Sequence, residues 1–255
     1  MRYFLEFSYD GSAFHGWQIQ PNAFSVQEAL EKALSTLLRT TISVVGAGRT
    51  DTGVHARMMV AHFDADLPEG LQDNLVYQLN RYLKVPILIH ALRPVRADAH
   101  ARFDAISRTY QYHIGMRKDP FKKGFFYHIT TPLDVSKMRA AAKHLQKFED
   151  FQCFAKAHSD VTHYRCAIYK THWEELPHEL VFTIQANRFL RNMVRSIVGT
   201  LVLIGQDKIS IDDLTNILES KDRGQAGYSV PGEGLFLTHI EYPESVYLHH
   251  VNNQR

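Results

Sequence analysis

The 255-residue chain predicts an α+β fold built from two halves, each an antiparallel sheet with helices packed behind one face. Three observations carry that expectation. Some segments alternate apolar and polar residues at period two, and longer ones repeat at helical spacing behind capping residues. The two kinds follow one another as β-α-β-β-α-β, the split βαβ order of ferredoxin-like domains, and the order recurs in the second half.

In the first half, residues 1–97, "RYFLEFSY" at 2–9 places Tyr3, Leu5, Phe7 and Tyr9 on one side of a strand. "SVQEALEKALSTLL" opens with a capping box, Ser25 to Glu28, and continues with apolar residues at helical spacing. Strands near 42–47 and 57–64, a helix near 70–83 and a strand near 87–95 complete the half. The second half, 98–243, starts with a strand at 106–116 that lines up Tyr110, Tyr112 and Ile114. A helix near 134–148 led by Asp134, strands at 166–174 and 179–187, and a helix at 189–204 ending at Gly205 follow. A short helix from Ser210, with Asp213 at its third position, precedes a last strand at 235–242. The tail 244–255 reads as loose. A sheet with helices on one side leaves its other face open, and RNA-binding modules of this layout stack bases there. Layout alone decides no function.

Composition narrows the classes. With two cysteines there is no disulfide framework, so a reducing compartment is expected. No apolar leader follows Met1, and the longest apolar run, "SIVGTLVLIG" at 196–205, is too short to span a bilayer. A cytoplasmic protein with no membrane partner is the expectation. A net charge of +2 argues against indiscriminate nucleic-acid binding. Local clusters are more informative: "RPVRADAHARF" at 93–103, "RKDPFKK" at 117–123, and Arg188, Arg191 and Arg195, whose spacing sets them along one helix face. Beside aromatic-rich segments, they point to a polyanion.

The densest chemistry is "GAGRTDTGVHA" at 46–56, which three site types could claim. A dinucleotide loop needs a third glycine where Asp51 stands, and a carboxylate there would face pyrophosphate; Walker A spacing is absent as well, so no nucleotide cofactor is expected. An aspartic protease needs two aspartates sharing a proton, and "DTG" occurs once. A single copy requires a symmetric dimer of short chains, and Arg49 opposes proton sharing. The third possibility takes Arg49 and Asp51 together. Glycines permit close approach of a ligand, and a nearby guanidinium favours the ionised carboxylate, which suits a nucleophile or base. The plain alternative is a turn in which the two residues merely pair.

This loop resembles the active-site loop of the TruA family of tRNA pseudouridine synthases. "DGSAFHGWQIQ" at 10–20, "SVQEALEKAL" at 25–34, "DAHARFDAISRTYQYHI" at 98–114, "FLRNMVRSIVG" at 189–199 and "VPGEGLFLTHIEYP" at 230–243 resemble that family's segments in the right order. The last differs from the family's usual "APAxGL". The resemblance implies the pseudouridine synthase fold, duplicated RNA-recognition-like halves around a central sheet. It implies isomerisation of uridine to pseudouridine at positions 38, 39 and 40 of the tRNA anticodon stem-loop, without cofactor or metal, by a homodimer. It also implies roles. Asp51 matches the catalytic aspartate, Tyr110 the tyrosine that stacks on the flipped base, Arg195 a basic residue paired with that aspartate, and Leu235 an apolar residue beside the pocket. Arg49 would fill the space the base leaves, or bind phosphate. A catalytically silent RNA-binding protein on the same scaffold is the rival reading.

Cys153, His158, His163 and Cys166 form a superficially zinc-like quartet, but the spacing C-x4-H-x4-H-x2-C suits no common zinc module. Buried cysteines and surface histidines are expected instead.

Overall fold

The computed structural model describes residues 1–68, 70–156 and 162–248. The chain divides into two compact units. One comprises 1–52, 56–106 and 239–255, the other 53–55 and 107–238. Both are α+β, and five α-helices are seen among the described residues.

In the first unit, β1 (Arg2–Tyr9) is the middle strand, with β3 (His55–Asp64, its first residue counted with the other unit) on one side and β4 (Ile87–Val95) on the other, both antiparallel to it. The β1–β3 register runs from Arg2↔Asp64 to Phe7↔Met59, then slips before Tyr9↔Ala56. Such a bulge re-aims the side chains that follow it. β2 shrinks to Val45–Gly46, on β3, where a longer strand was expected. The reason is local: Ser35 Oγ accepts the Ile42 N–H at 2.9 Å and Glu31 Oε1 accepts the Val44 N–H at 3.0 Å, so a helix supplies the partners a strand would have given. That helix is α1 (Val26–Leu38), N-capped by the Ser25 hydroxyl, which accepts from Glu28 N–H. α2 (Gln72–Tyr82) packs beside β4 and α1.

The alternation in β1 buries Tyr3, Leu5, Phe7 and Tyr9, as expected, but Phe4 on the other side is also fully buried. Tyr242 and Tyr247 lie over it, their ring centroids 4.9 and 6.2 Å away. Past Pro243, where the sequence suggests a loose tail, a 3-10 turn at Glu244–Val246 buries Val246, and the Leu248 N–H donates to Pro94 O.

In the second unit β8 (Glu179–Ala186) lies between β5 (Ser107–Gly115) and β7 (Ile168–Leu176), antiparallel to both; a two-residue β6 (Tyr127–His128) runs parallel to β5. α3 (Val135–Leu145) is N-capped by Asp134, and α5 (Ile211–Ser220) carries the full capping box between Ser210 and Asp213. α4 (Met193–Gly205) is almost wholly buried among them. The core is aromatic and aliphatic: Tyr112, Ile114, Trp173 and Phe182 from the strands, Met138, Leu145, Ile197 and Leu201 from the helices. β9 (Leu235–Glu241) is divided, its first four residues counted with this unit and its last three with the other.

One expected helix start is corrected. α4 begins at Met193, not 189, because Asn192 adopts a left-handed conformation, φ 69°, that ends any helical path from Phe189. Arg188 and Arg191 therefore precede the helix, and the stripe they were expected to form with Arg195 on one helix face does not exist.

Candidate active site

In the first unit the loop between β2 and β3 presents Arg49 exposed and Asp51 half-buried. It is anchored at the buried residue between them. Thr50 O accepts the Trp17 N–H at 3.1 Å, and Thr50 Oγ1 shares a buried 2.9 Å hydrogen bond with the Tyr9 hydroxyl, just past the bulge in β1. Gly16, φ +91°, lies directly under the loop: a Cβ there would sit 2.5 Å from Thr50 O and 3.2 Å from the carbonyl carbon of Asp51. Gly46 is equally constrained, since a Cβ on it would meet the Trp17 indole at 2.6 Å. The segment 14–17 is itself fixed to α1, whose first turns donate Val26 N–H to Gly16 O and Gln27 N–H to Trp17 O. Asp51 thus sits on a loop held at its neighbour, leaving its carboxylate at a partly open position.

In the second unit Tyr110 sits opposite Ile184 in the β5–β8 ladder, half-buried, its ring edge-on to Phe189 at 5.2 Å. Tyr112, two residues on, is fully buried, and its hydroxyl donates to Pro231 O at 2.8 Å; burial pushes that phenol well above its ordinary range. Arg195 stands in the first turn of α4. Its Nε donates to Val230 O at 2.7 Å, and its own carbonyl accepts the Val230 N–H at 3.3 Å, so residue and segment clamp each other. A cation at a helix N-terminus adds to the positive end of the helix dipole, an arrangement suited to an anion. Leu235 is buried at the head of β9 and belongs to the core of this unit.

The units therefore divide the expected residues: Arg49 and Asp51 in one, Tyr110, Arg195 and Leu235 in the other. Several contributors escape a sequence reading. Asn192 Nδ2 donates to Ser196 Oγ and to Ser229 Oγ, and Arg223 also donates to Ser229. Gly199 lets the helix touch the 228 segment backbone to backbone, since a Cβ on it would lie 1.8 Å from Tyr228 O. A glycine inside an apolar helix is the available signal for such close approach.

A family model described as tRNA pseudouridine synthase matches residues 7–104 and 141–243. The chain belongs to the tRNA pseudouridine synthase family. A relative named tRNA pseudouridine synthase A from Bacteroides fragilis is 50% identical over 247 residues, covering 96% of this chain and 98% of its own. A namesake from Bacillus subtilis is 41% identical over 246 residues, covering 95% and 99%. The family match takes in Gly16, Arg49, Asp51, Arg195 and Leu235, whereas Tyr110 falls between its two stretches.

Of the zinc-like quartet, Cys153 and Cys166 are buried free thiols, pushed up to about 12 and about 11 by desolvation. His163 is exposed beside Arg188, and His158 lies outside the described residues.

Proposed function

We propose that this member of the tRNA pseudouridine synthase family isomerises uridine to pseudouridine at positions 38, 39 and 40 of the tRNA anticodon stem-loop, with Asp51 as the nucleophile. The observation that carries the proposal is the anchored loop: a carboxylate at a partly open position, its neighbour Thr50 tied from below by Tyr9 and Trp17. Pre-organisation of that kind suits a reacting group and is unnecessary in a turn that only packs.

The reaction is an internal exchange. The glycosidic bond from ribose C1′ to N1 breaks, a bond from C1′ to C5 forms, and one proton moves in net from C5 to N1. No electron acceptor and no group donor enter the balance, so no cofactor is required. The target base must first leave the stack, at a cost of a few kcal/mol. Tyr110 stacks on it, returning roughly 1–3 kcal/mol, and assists removal of the C5 proton. Arg195 supplies the basic group of the site, Leu235 lines the apolar side of the base, and Arg49 fills the vacated stack or meets phosphate. The duplicated halves, a homodimer and a cytoplasmic location belong to the same proposal.

The test is to incubate the protein with an unmodified tRNA transcript and map pseudouridine, for the wild type and for Asp51→Ala. The expected result is modification confined to the anticodon arm with wild type, and binding without modification by the variant. Modification surviving in Asp51→Ala would remove Asp51 from its role. A wild type that binds tRNA and modifies nothing would return the scaffold to RNA binding alone.

A further inference from the structure

The segment 117–126 of the second unit, "RKDPFKKGFF", has no role in the chemistry above and lies outside both stretches of the family match. It carries three phenylalanines with three different fates. Phe126 is buried against Gly115, where a Cβ would meet its ring at 2.3 Å. Phe125 folds back beside His55, ring centroids 5.0 Å apart. Phe121 points away, 93% exposed.

That exposure is built, not frayed. The Asp119 carboxylate accepts the Phe121 N–H at 2.9 Å, Pro120 sets the first position of a 3-10 turn, and the Phe125 N–H closes back on Lys122 O at 3.0 Å. Lys122 Nζ donates to Glu179 Oε2 at 2.6 Å, while Glu179 Oε1 sits 2.5 Å from His113 Nδ1, which fastens the turn to β8 and β5. An apolar ring is thus held in water by an ordered scaffold, with the exposed cations Arg117, Lys118 and Lys123 all within four residues of it along the chain. Of the acids nearby, Asp119 caps the turn and Glu179 compensates Lys122, so the tip remains cationic. Two such tips facing each other would repel. An exposed aromatic ring accompanied by Lys and Arg is the combination that binds single-stranded nucleic acid, the ring by stacking and the cations on phosphate.

We propose that this loop is a second RNA contact, in which Phe121 stacks on an unpaired base of the tRNA and Arg117, Lys118 and Lys123 meet its phosphates. The proposal rests on tRNA as the substrate and names a surface the isomerisation itself does not require.

The experiment measures affinity for an unmodified tRNA transcript across a salt series, together with KM and kcat for pseudouridine formation. Phe121→Ala should bind roughly 5- to 150-fold more weakly, the range expected for one lost base stack, with KM raised and kcat retained. Phe121→Trp should restore affinity. Lys118→Ala combined with Lys123→Ala should flatten the slope of log affinity against log salt by about 1.5, two phosphate contacts' worth. All the altered side chains are exposed, so melting should not move. Unchanged affinity and salt slope in these variants would overturn the proposal. So would a change in the sedimentation of the free protein with affinity intact, which would make the loop a contact between copies. If the wild type binds tRNA with these dependences but forms no pseudouridine, the reaction assignment falls and the loop contact stands.

Discussion

The loop carrying Asp51 and the helix carrying Arg195 are both fixed, but they differ in how much backbone packing takes part. The loop is held by hydrogen bonds to one residue, Thr50, from two strands of chain that arrive separately: Tyr9 at the end of β1 and Trp17 ahead of α1. The helix start is held by the reciprocal hydrogen bonds between Arg195 and Val230 and, further along α4, by close packing. Gly199 and Gly227 bring α4 and the 226–231 segment into backbone contact, and a polar cluster of Asn192, Ser196, Ser229 and Arg223 covers the junction. The difference suggests that damage near Asp51 should appear as lost turnover in a folded protein, whereas damage behind Arg195 should appear first as lost stability.

Gly199→Ala is the strongest way to break that contrast. Its new methyl group would lie 1.8 Å from Tyr228 O, a backbone atom that cannot rotate away. Overpacking a core costs typically 1–3 kcal/mol and occasionally more, so a loss of about 3 kcal/mol is expected in chemical denaturation. If the variant instead melts like the wild type and loses only activity, the second region is not the packing-controlled one.

The first unit has a separate weakness at the far end of β3, which pH should expose. His62 is buried, its Nδ1 accepts the Ala101 N–H at 3.1 Å, and its ring meets His100 edge-on at 4.6 Å. Burial, then the neighbouring His100 and Arg2, lower its pKa from 6.5 to about 4. Because the folded value lies below the unfolded one, the unfolded chain takes up a proton first as pH falls. Above about pH 6.5 the residue has no linked effect; between there and about pH 4 stability drops, by up to about 3 kcal/mol, and below that the loss is constant. Urea denaturation at pH 7, 5.5 and 4 should show the decline. His62→Asn, which keeps an acceptor for Ala101, should flatten most of it, and an unaltered slope would acquit His62.

How much of this was open to a reader of the sequence differs by region. Strands such as Arg2–Tyr9 and helices begun by Ser25, Asp134 and Ser210 are legible because period and cap agree. The start of α4 is not: Phe189 and Leu190 continue an apolar pattern, and only the left-handed Asn192 shows that the helix has yet to begin. In the site, Asp51 and Arg49 stand out by residue type beside three glycines. Tyr110, Arg195 and Leu235 have no such signal, since each fits an ordinary strand or helix position, and resemblance alone picks them out. The Tyr9–Thr50 bond is invisible for a further reason. It depends on a register slip in β1, and parity counting assumes no slip.

Gly16→Ala is the milder companion of Gly199→Ala and the sharper test of the loop. Alanine at φ +91° is strained, and its methyl group would press on Thr50 O at 2.5 Å, with the 14–17 segment held behind it by its hydrogen bonds to the start of α1. A stability loss of about 1–2 kcal/mol is expected from the strained backbone and partial overpacking. Relief would come by displacing Thr50, and Asp51 moves with it. A misplacement of about 1 Å at a reacting group can cost on the order of 100-fold in rate, so kcat should fall far more than the modest stability loss implies, while affinity for tRNA holds. Single-turnover pseudouridine formation at saturating enzyme, below the melting temperature of the variant, reads this directly. Full turnover in a folded Gly16→Ala protein would mean that the support beneath Thr50 does not position Asp51, and the contrast between the two regions would lose its first half.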